Sequence, residues 1–255
     1  MILFVVNAIV ALYLLLPVIV VVATSVTTTA YPVFPPRGFT LQWFERFLLT
    51  PEFMSGMRLS ALLAGTATLI AAVLGTAASI GLARGPRRPR SALSALFLSP
   101  IVFPAVVLGL ALLIFYSRTG LAGSFLGMVA GHVVLVTPFV VRMVAASLAE
   151  FDDSVEEAAR NLGASWLRVF LQVVLPIIRP GVVAGAVFAF IISFDELVVT
   201  LFLAGPGLQT LPIRVFTFVQ YNSTPVISAI STALIAVWVI LGVPLYLRFL
   251  GVKHA

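Results

Sequence analysis

The stretch LSALLAGTATLIAAVLGTAASIGLA, residues 59–83, carries no charged side chain and is bounded by Arg58 and Arg84. A helix needs about 20 consecutive apolar residues to cross the hydrocarbon core of a bilayer. The stretch meets this length without interruption. It therefore predicts a transmembrane helix, which indicates that the chain is an integral membrane protein.

Runs of the same kind recur along the chain. Hydrophobic residues make up 61% of the sequence and charged residues 9%, whereas a soluble domain is about a quarter charged. Such a chain cannot cover itself with polar surface, so lipid is its expected solvent. We predict an all-α, polytopic membrane protein with one transmembrane domain over residues 1–255. The six predicted spans are residues 2–23, 59–83, 91–117, 119–141, 181–203 and 226–247.

The first run, residues 2–23, is interpreted as a helix that is retained in the mature protein. It is longer than the apolar core of a signal peptide, which is about 7–15 residues, and no basic segment precedes it. A cleaved signal peptide is the alternative interpretation of this run.

The distribution of arginine and lysine predicts the orientation. Cytoplasmic segments of membrane proteins are enriched in these residues. With both termini in the cytoplasm, ten of the 15 basic residues fall on the inner side. These ten are Arg84, Arg87, Arg88, Arg90, Arg142, Arg160, Arg168, Arg179, Arg248 and Lys253, and the outer five are Arg37, Arg46, Arg58, Arg118 and Arg214.

Composition also excludes several functions. There is no cysteine, which excludes disulfides and thiolate metal sites. A His-Glu-x-x-His zinc site is excluded because the histidines are His132 and His254, and no Gly-x-Ser-x-Gly motif occurs. The net charge is +6, but the basic residues lie between long apolar runs and not in one cluster. They are therefore not expected to form a nucleic-acid-binding patch. A carboxylate-dependent lipid enzyme and a self-contained secondary transporter remain as alternative classes, although no internal repeat supports the second.

Glycines predict close helix packing in the fourth span. Gly123, Gly127 and Gly131 recur every four residues and would share one face of a helix. Small residues at this spacing allow helix backbones to approach one another in lipid.

Residues 150–180 are too polar for their surroundings, with five of the nine acidic residues. Ser154 with Glu157 three residues later fits a capping box, and Gly163 fits the end of the same helix. A second short helix is predicted over residues 166–174. One apolar face, at positions i, i+3, i+4 and i+7, is formed by Val155, Ala158, Ala159 and Leu162.

Three interpretations of this amphipathic segment fit its residues. It could lie on the lipid surface as an interfacial helix. It could be an ordinary cytoplasmic loop. It could also be a docking helix for a partner protein, and physical chemistry alone does not separate the three.

A spacing pattern in the segment points to the third interpretation. Glu157-Ala158-Ala159 is followed by Gly163, and then by Val173 and Leu175-Pro176. This pattern resembles the EAA loop of the permease subunits of binding-protein-dependent ABC importers, in which an isoleucine-like residue stands where Val173 does. The six-span layout agrees, so the resemblance covers nearly the whole chain.

The resemblance implies a type I ABC importer permease fold in the bacterial inner membrane. Residues 157–163 would form a coupling helix seated in a cleft of an ATPase subunit, where Ala158 and Ala159 allow close approach. The ATPase-coupling residues would be Glu157, Ala158, Ala159, Gly163, Leu175 and Pro176. The implied partners are a second, homologous permease, two ATPase subunits, and a periplasmic or lipid-anchored solute-binding protein. Such permeases often begin with a short basic cytoplasmic leader, and since the apolar run starts directly at Ile2, a late or truncated start at Met1 is one expectation.

The chain carries no ATP site of the phosphate-loop kind. That loop needs Gly-x-x-x-x-Gly-Lys-Ser/Thr, whereas the one lysine, Lys253, follows Val252. We therefore expect no cofactor and no enzymatic activity in this chain, with ATP and Mg²⁺ bound by the partner ATPase.

Two acids interrupt the fifth predicted span. A carboxylate at the middle of a membrane costs about 2.5–3.5 kcal/mol, so Asp195 and Glu196 are expected to face a water-filled pathway or a neighbouring helix. Adjacent side chains on a helix point about 100° apart, so we expect one acid in each role. The alternative is a hydrated break between two helices. We also predict a hydrogen bond from His132 to one of these acids, the alternative being a packing role for His132.

The acids also bear on the substrate. Carboxylates in a low-dielectric pathway attract cations. Residues 193–196 (SFDE), 205–206 (GP) and 210–212 (TLP) resemble the spermidine/putrescine branch of these permeases, which implies a polycation that aromatic rings could also contact. Related branches that carry opines, aminophosphonates or ferric iron are the alternatives. The candidate pathway residues are Asp195, Glu196, Ser193, Phe194, Phe190 and His132.

Overall fold

The computed structural model describes residues 2–249, without the side chains of residues 2, 87–89, 153, 243 and 245–249. All regular structure in this part of the chain is helical, as predicted. The side chains of Arg87, Arg88 and Arg248, which contribute to the predicted orientation, lie outside the described residues, as do the whole of Met1, Lys253 and His254.

The helices follow one another with short connections. Their order is α1 (Ile2–Thr24), α2 (Gln42–Leu49), α3 (Pro51–Arg84), α4 (Arg87–Val102), α5 (Ala105–Thr119), α6 (Phe125–Ala149), α7 (Asp153–Asn161), α8 (Trp166–Val169), a π-helical segment (Phe170–Val174), α9 (Leu175–Asp195), α10 (Val198–Leu203), α11 (Leu211–Tyr221) and α12 (Val226–Phe249).

Tertiary contacts divide the chain into two compact units. The first unit contains the chain up to Gly56 and from Arg214 onward, and in it α12 packs against α1 and α2. The Thr24 hydroxyl donates to the Ser228 hydroxyl at 3.0 Å. The ring of Phe53 meets that of Phe218 edge to face, with centroids 5.4 Å apart. The single transmembrane domain stays a prediction.

The second unit, Met57–Ile213, is built on the long contact between α6 and α9. Small residues on α9 allow this contact. A Cβ atom on Gly181 would lie 2.7 Å from the carbonyl oxygen of Met143, and one on Gly185 would lie 2.9 Å from the Cα of Val140. The two backbones therefore approach more closely than any larger residue would permit.

The predicted glycine stripe on the fourth span is confirmed only in part. Gly131 lies in α6 and packs tightly, since a Cβ there would be 2.4 Å from a methyl carbon of Leu203. Gly127 also lies in α6. Gly123 precedes the helix and has a φ of +68°, so it belongs to the turn that leads into α6. Its assignment to the helix face was wrong.

The third predicted span is not a continuous helix. It is divided into α4 and α5, which meet at an angle of 106°. Between them Phe103 is extended and Pro104 caps α5. A proline disfavours helical geometry at the residue before it, so the helix ends there although the sequence on both sides is apolar.

The other predicted spans correspond to helices with shifted ends. Within the described residues, four helices are long and apolar enough to cross a membrane, and α4 with α5 gives a fifth span if the bent pair counts as one. The apolar part of α12, Val226–Gly242, is shorter. The helix α6 begins six residues later than predicted because Ser124 caps it, its hydroxyl accepting from the Gly127 N–H at 3.0 Å.

The close approach at Gly181 predicts the effect of one added methyl group. We expect Gly181→Ala to destabilise the protein by about 1–3 kcal/mol, the usual cost of overpacking, because the methyl group would overlap the Met143 carbonyl. The temperature of thermal unfolding in detergent would fall accordingly.

Gly65→Ala is the matched control, since nothing lies within 4 Å of a Cβ at this helical position. Alanine is favoured over glycine in a helix by about 1 kcal/mol, so this variant should unfold at the wild-type temperature or above. Equal unfolding temperatures for both variants would contradict the packing described for α6 and α9.

Candidate functional site

The polar segment between α6 and α9 forms the amphipathic helix α7. Its N-cap is Asp152, whose carboxylate accepts from the Ser154 N–H at 2.9 Å. These hydrogen bonds from the Ser154 backbone and side chain lower the pKa of Asp152 below its usual value. The capping box predicted for Ser154 was wrong, because an aspartate two residues earlier occupies the cap and Ser154 lies inside the first turn.

The end of α7 agrees with the prediction for Gly163. This glycine has a φ of +84°, a conformation that side chains with a Cβ rarely adopt. Its N–H donates to the Arg160 carbonyl at 2.9 Å, and the Ala164 N–H donates to the Ala159 carbonyl at 3.2 Å. The pair of bonds is a Schellman motif, which ends the helix and turns the chain sharply into α8.

The predicted apolar face of α7 is mostly open. Val155 is 44% exposed and Leu162 is 90% exposed. Ala158 is exposed as well, while Ala159 is half-buried. The described part of the chain thus leaves most of this apolar surface without a packing partner.

The neighbouring side of α7 carries the buried group. Glu156 is 7% exposed, and its carboxylate accepts hydrogen bonds from Arg84 at the end of α3 and from Arg160 on α7. The Arg160 contact spans 2.6 Å and has the i, i+4 spacing typical of helix ion pairs. We call Arg84, Glu156 and Arg160 the Glu156 clamp.

Sequence reasoning missed the clamp. It singled out Glu157, which is exposed in the structure, and passed over Glu156 beside it. The i, i+4 pairing of Glu156 with Arg160 was a usable signal. The partnership with Arg84, 72 residues away in sequence, was not visible before folding.

The second half of the polar segment does not end where predicted. The helix α8 passes through the π-helical segment directly into α9, so residues from Trp166 to Asp195 form one helix of 30 residues. The Leu175 N–H donates to the carbonyl of Phe170, five residues back. Pro176 has no N–H to donate, and the wider π turn just before it absorbs this defect. Leu175 is half-buried and Pro176 is exposed.

The fifth predicted span is broken at its two acids, as the alternative interpretation held, so they do not lie side by side on one helix. The helix α9 ends at Asp195, and α10 begins at Val198. The Glu196 carboxylate accepts from the Val199 N–H at 2.8 Å, which caps α10. Asp195 is exposed, and its carboxylate has no hydrogen-bond or ion-pair partner within the part of the chain that the structure describes.

His132 joins the two sides of this break. It is fully buried in α6, with Nδ1 2.7 Å from the Ser193 hydroxyl on α9 and Nε2 3.0 Å from the Thr200 hydroxyl on α10. The Thr200 hydroxyl donates to the Glu196 carbonyl at 2.8 Å, so the Nε2–H donates to Thr200 and Nδ1 accepts from Ser193. The predicted bond from His132 to an acid was wrong, because hydroxyl groups satisfy both of its nitrogens.

Two phenylalanines near the break stack on each other but differ in burial. The rings of Phe190 and Phe194 stack with centroids 6.1 Å apart and an interplanar angle of 27°. Phe194 is buried within the chain, at 6% exposure, whereas Phe190 is half-buried. The structure thus places an exposed carboxylate at the end of α9 and a buried network of Ser193, His132 and Thr200 behind it.

Comparison with known proteins identifies a family and several relatives that this chain resembles. Residues 71–250 match the family described as the binding-protein-dependent transport system inner membrane component. This region includes α7, the Glu156 clamp and the break at Asp195.

Two curated relatives are similar over most of their length. The putrescine transport system permease protein PotI of Escherichia coli (strain K12) is 35% identical over 212 residues, which cover 80% of this chain and 75% of that protein. The spermidine/putrescine transport system permease protein PotC of Haemophilus influenzae is 30% identical over 223 residues, covering 88% and 86%.

The fold has a counterpart among solved structures. A chain of a bacterial ABC transporter involved in the import of the acidic polysaccharide alginate superposes with a TM-score of 0.72. The match covers 98% of this chain and 96% of that one at 18% sequence identity. At this identity the likeness concerns the fold alone.

The Glu156 clamp predicts how α7 is held. Glu156→Gln removes the charge between Arg84 and Arg160, and hydrogen bonds to a charged group contribute about 1.5–3 kcal/mol. We expect the amide protons of α7 to exchange at least tenfold faster in this variant, as measured by hydrogen exchange with mass spectrometry.

Glu157→Gln is the matched control, because it makes the same chemical change one residue away on an exposed side chain. Its α7 amides should exchange at the wild-type rate. If both variants exchange alike, the clamp does not hold the helix.

Proposed function

The chain belongs to the family of binding-protein-dependent transport system inner membrane components, and we propose that it is the channel-forming subunit of an ATP-driven polyamine importer. Two relatives named as permeases for putrescine and for spermidine/putrescine support this substrate class. The exposed carboxylate of Asp195 supports it independently, because polyamines are polycations.

The observation that carries the coupling mechanism is the open apolar face of α7. An exposed leucine on a helix gains free energy when a partner covers it, at about 25 cal/mol per Å² of apolar surface. We propose that an ATPase subunit covers Leu162, with Ala158 allowing close approach. Glu157 is exposed and free to pair with a basic group of that subunit.

The Glu156 clamp would transmit movement from the ATPase into the membrane. Because Arg84 closes α3, a displacement of α7 pulls directly on the end of this long helix. Gly163 would set the direction in which the chain leaves α7, and Leu175 and Pro176 would set the start of α9. These are positioning roles, since the proposed ATP site lies in another chain.

The assembly follows from these roles. We propose a second, homologous permease as the other half of the channel, two ATPase subunits that bind ATP and Mg²⁺, and a periplasmic or lipid-anchored solute-binding protein. The end of the molecule that carries α7 would face the cytoplasm, with both chain termini on the same side. The excess of arginine at this end supports the orientation.

Within the pathway we assign different roles to the two acids. Asp195 would attract the cationic substrate, because its carboxylate is exposed and unpartnered in the described structure. Glu196 would hold the N-terminus of α10, and the network of His132, Ser193 and Thr200 would keep the break rigid. Phe190 offers part of a ring face for cation–π contact, while Phe194 packs behind it.

The substrate assignment predicts the effect of neutralising Asp195. In cells that express the complete transport system, Asp195→Asn should lower uptake of radiolabelled spermidine and putrescine about tenfold. The magnitude reflects loss of one charge-assisted contact, about 1.5 kcal/mol.

Glu196→Gln is the control for Asp195→Asn. A glutamine oxygen can still accept from the Val199 N–H, so this variant should transport near the wild-type rate. Undiminished uptake by Asp195→Asn would remove the residue from the pathway. If an assembled wild-type complex takes up no polyamine, the substrate is not a polyamine, and an opine, an aminophosphonate or ferric iron becomes the favoured substrate.

The docking role of α7 predicts the effect of a polar residue on its apolar face. Leu162→Gln should reduce the amount of ATPase subunit that copurifies with the permease about tenfold. The reason is that burying this leucine contributes roughly 1.5–3 kcal/mol.

Leu49→Gln serves as the matched control, since Leu49 is 72% exposed at the end of α2. This variant should retain the ATPase as well as the wild type does. Equal retention by both variants would show that α7 is not the docking helix.

A further inference from the structure

A cavity of about 710 Å³ opens beside α7. The end of α3, the middle of α4, the second half of α6 and one side of α7 surround it. It therefore lies at the end of the second unit that carries the Glu156 clamp, well separated in sequence from the break at Asp195.

The charge of this cavity is unbalanced. Its lining includes four arginines and two glutamates, a net charge of +2. Glu156 accepts from two of the arginines, Arg84 and Arg160. The other two, Arg90 and Arg142, are exposed and have no ion pair in the described structure. Four guanidinium groups around one cavity repel each other, and a bound anion would relieve that repulsion.

Apart from Ser79 and Ser94, the rest of the lining is apolar. Leu82 and Leu98 line the cavity from α3 and α4, and Leu148 and Phe151 line it from the side of α6. A soluble anion gains nothing from such a surface. A molecule with an anionic head and a hydrocarbon tail would use both parts of the lining at once.

We propose that this cavity binds the phosphate group of an anionic phospholipid such as phosphatidylglycerol, with Arg90 and Arg142 as its principal contacts. Arginine binds phosphate through paired N–H donors. Basic pockets between transmembrane helices on the cytoplasmic side are suited to such head groups. The side of the membrane rests on the proposed function, which assigns this end to the cytoplasm.

The position of the site links it to coupling. Arg84 and Arg160 line the cavity and belong to the clamp, so a bound phosphate would lie among the charges that hold α7. An occupied cavity would offset the surplus positive charge without displacing Glu156. Anionic lipid would thereby stabilise the docked position of α7, and ATPase activity of the complex would depend on lipid composition.

The test uses the purified complete importer in nanodiscs of phosphatidylcholine with increasing phosphatidylglycerol. Native mass spectrometry counts the phosphatidylglycerol retained by the complex. Each basic residue near an anionic membrane surface contributes roughly a fivefold gain in affinity, so R90Q/R142Q should retain this lipid about 25-fold less tightly. R90K/R142K keeps both charges and should retain most of the binding.

The control R58Q/R118Q removes the same charge from two exposed arginines that do not line the cavity. It should bind the lipid as the wild type does. A second arm titrates inorganic phosphate against the wild-type complex in phosphatidylcholine alone. Since the apolar lining favours a lipid, saturable binding of inorganic phosphate without retention of phosphatidylglycerol would overturn the lipid assignment.

Two further outcomes would overturn the proposal. In one, R90Q/R142Q and R58Q/R118Q retain the lipid equally. In the other, R90Q/R142Q loses the ATPase subunit but not the lipid, which would assign the basic cavity to the partner protein. Failure of the proposed function is distinguishable, because it appears as absent polyamine uptake by the wild-type complex whatever lipid is bound.

Discussion

Lipid offers no hydrogen bonds to a polypeptide backbone, and this constraint governs the rest of the structure. Within a bilayer, each N–H and carbonyl group must find a partner inside the protein. Long helices satisfy the requirement along most of the chain, so the interruptions are the informative places. At the break after Asp195, the Glu196 carboxylate takes the Val199 N–H, and His132 bonds to hydroxyls on both sides. The side chains of Glu196 and Thr200 here pair with backbone groups, the Val199 N–H and the Glu196 carbonyl, and His132 fixes the position of the Thr200 hydroxyl.

The amphipathic helix α7 inverts the usual arrangement of a surface helix. Its buried contact is ionic, through Glu156, while Leu162 on its other side is exposed. A helix with an apolar stripe normally turns that stripe toward its own core. The inversion is understandable if the core that receives the stripe belongs to another protein, because the permease then needs only to fix the angle at which the helix is presented.

Sequence patterns predicted those features that depend on composition or on nearby residues. The apolar runs located the helices, and Gly163 marked the end of α7, because both signals are local. The errors arose where a distant partner or a competing residue decides. Pro104 divides a run that is apolar throughout, Asp152 takes the cap expected at Ser154, and His132 bonds to hydroxyls because the chain brings Ser193 and Thr200 to it. The contact of Glu156 with Arg84 could not be predicted for the same reason.

The continuous helix from Trp166 to Asp195 is long enough to carry a small tilt at one end to a large displacement at the other. Its 30 residues extend about 45 Å at 1.5 Å per residue. One end follows α7, the proposed coupling helix, and the other carries the exposed carboxylate of Asp195. By the same geometry, a tilt of about 5° at the first end would displace the second by roughly 4 Å, more than the length of a hydrogen bond. If the proposed ATPase subunit binds at the first end, small rotations there would change the width of the proposed pathway, with no need for any helix to unfold.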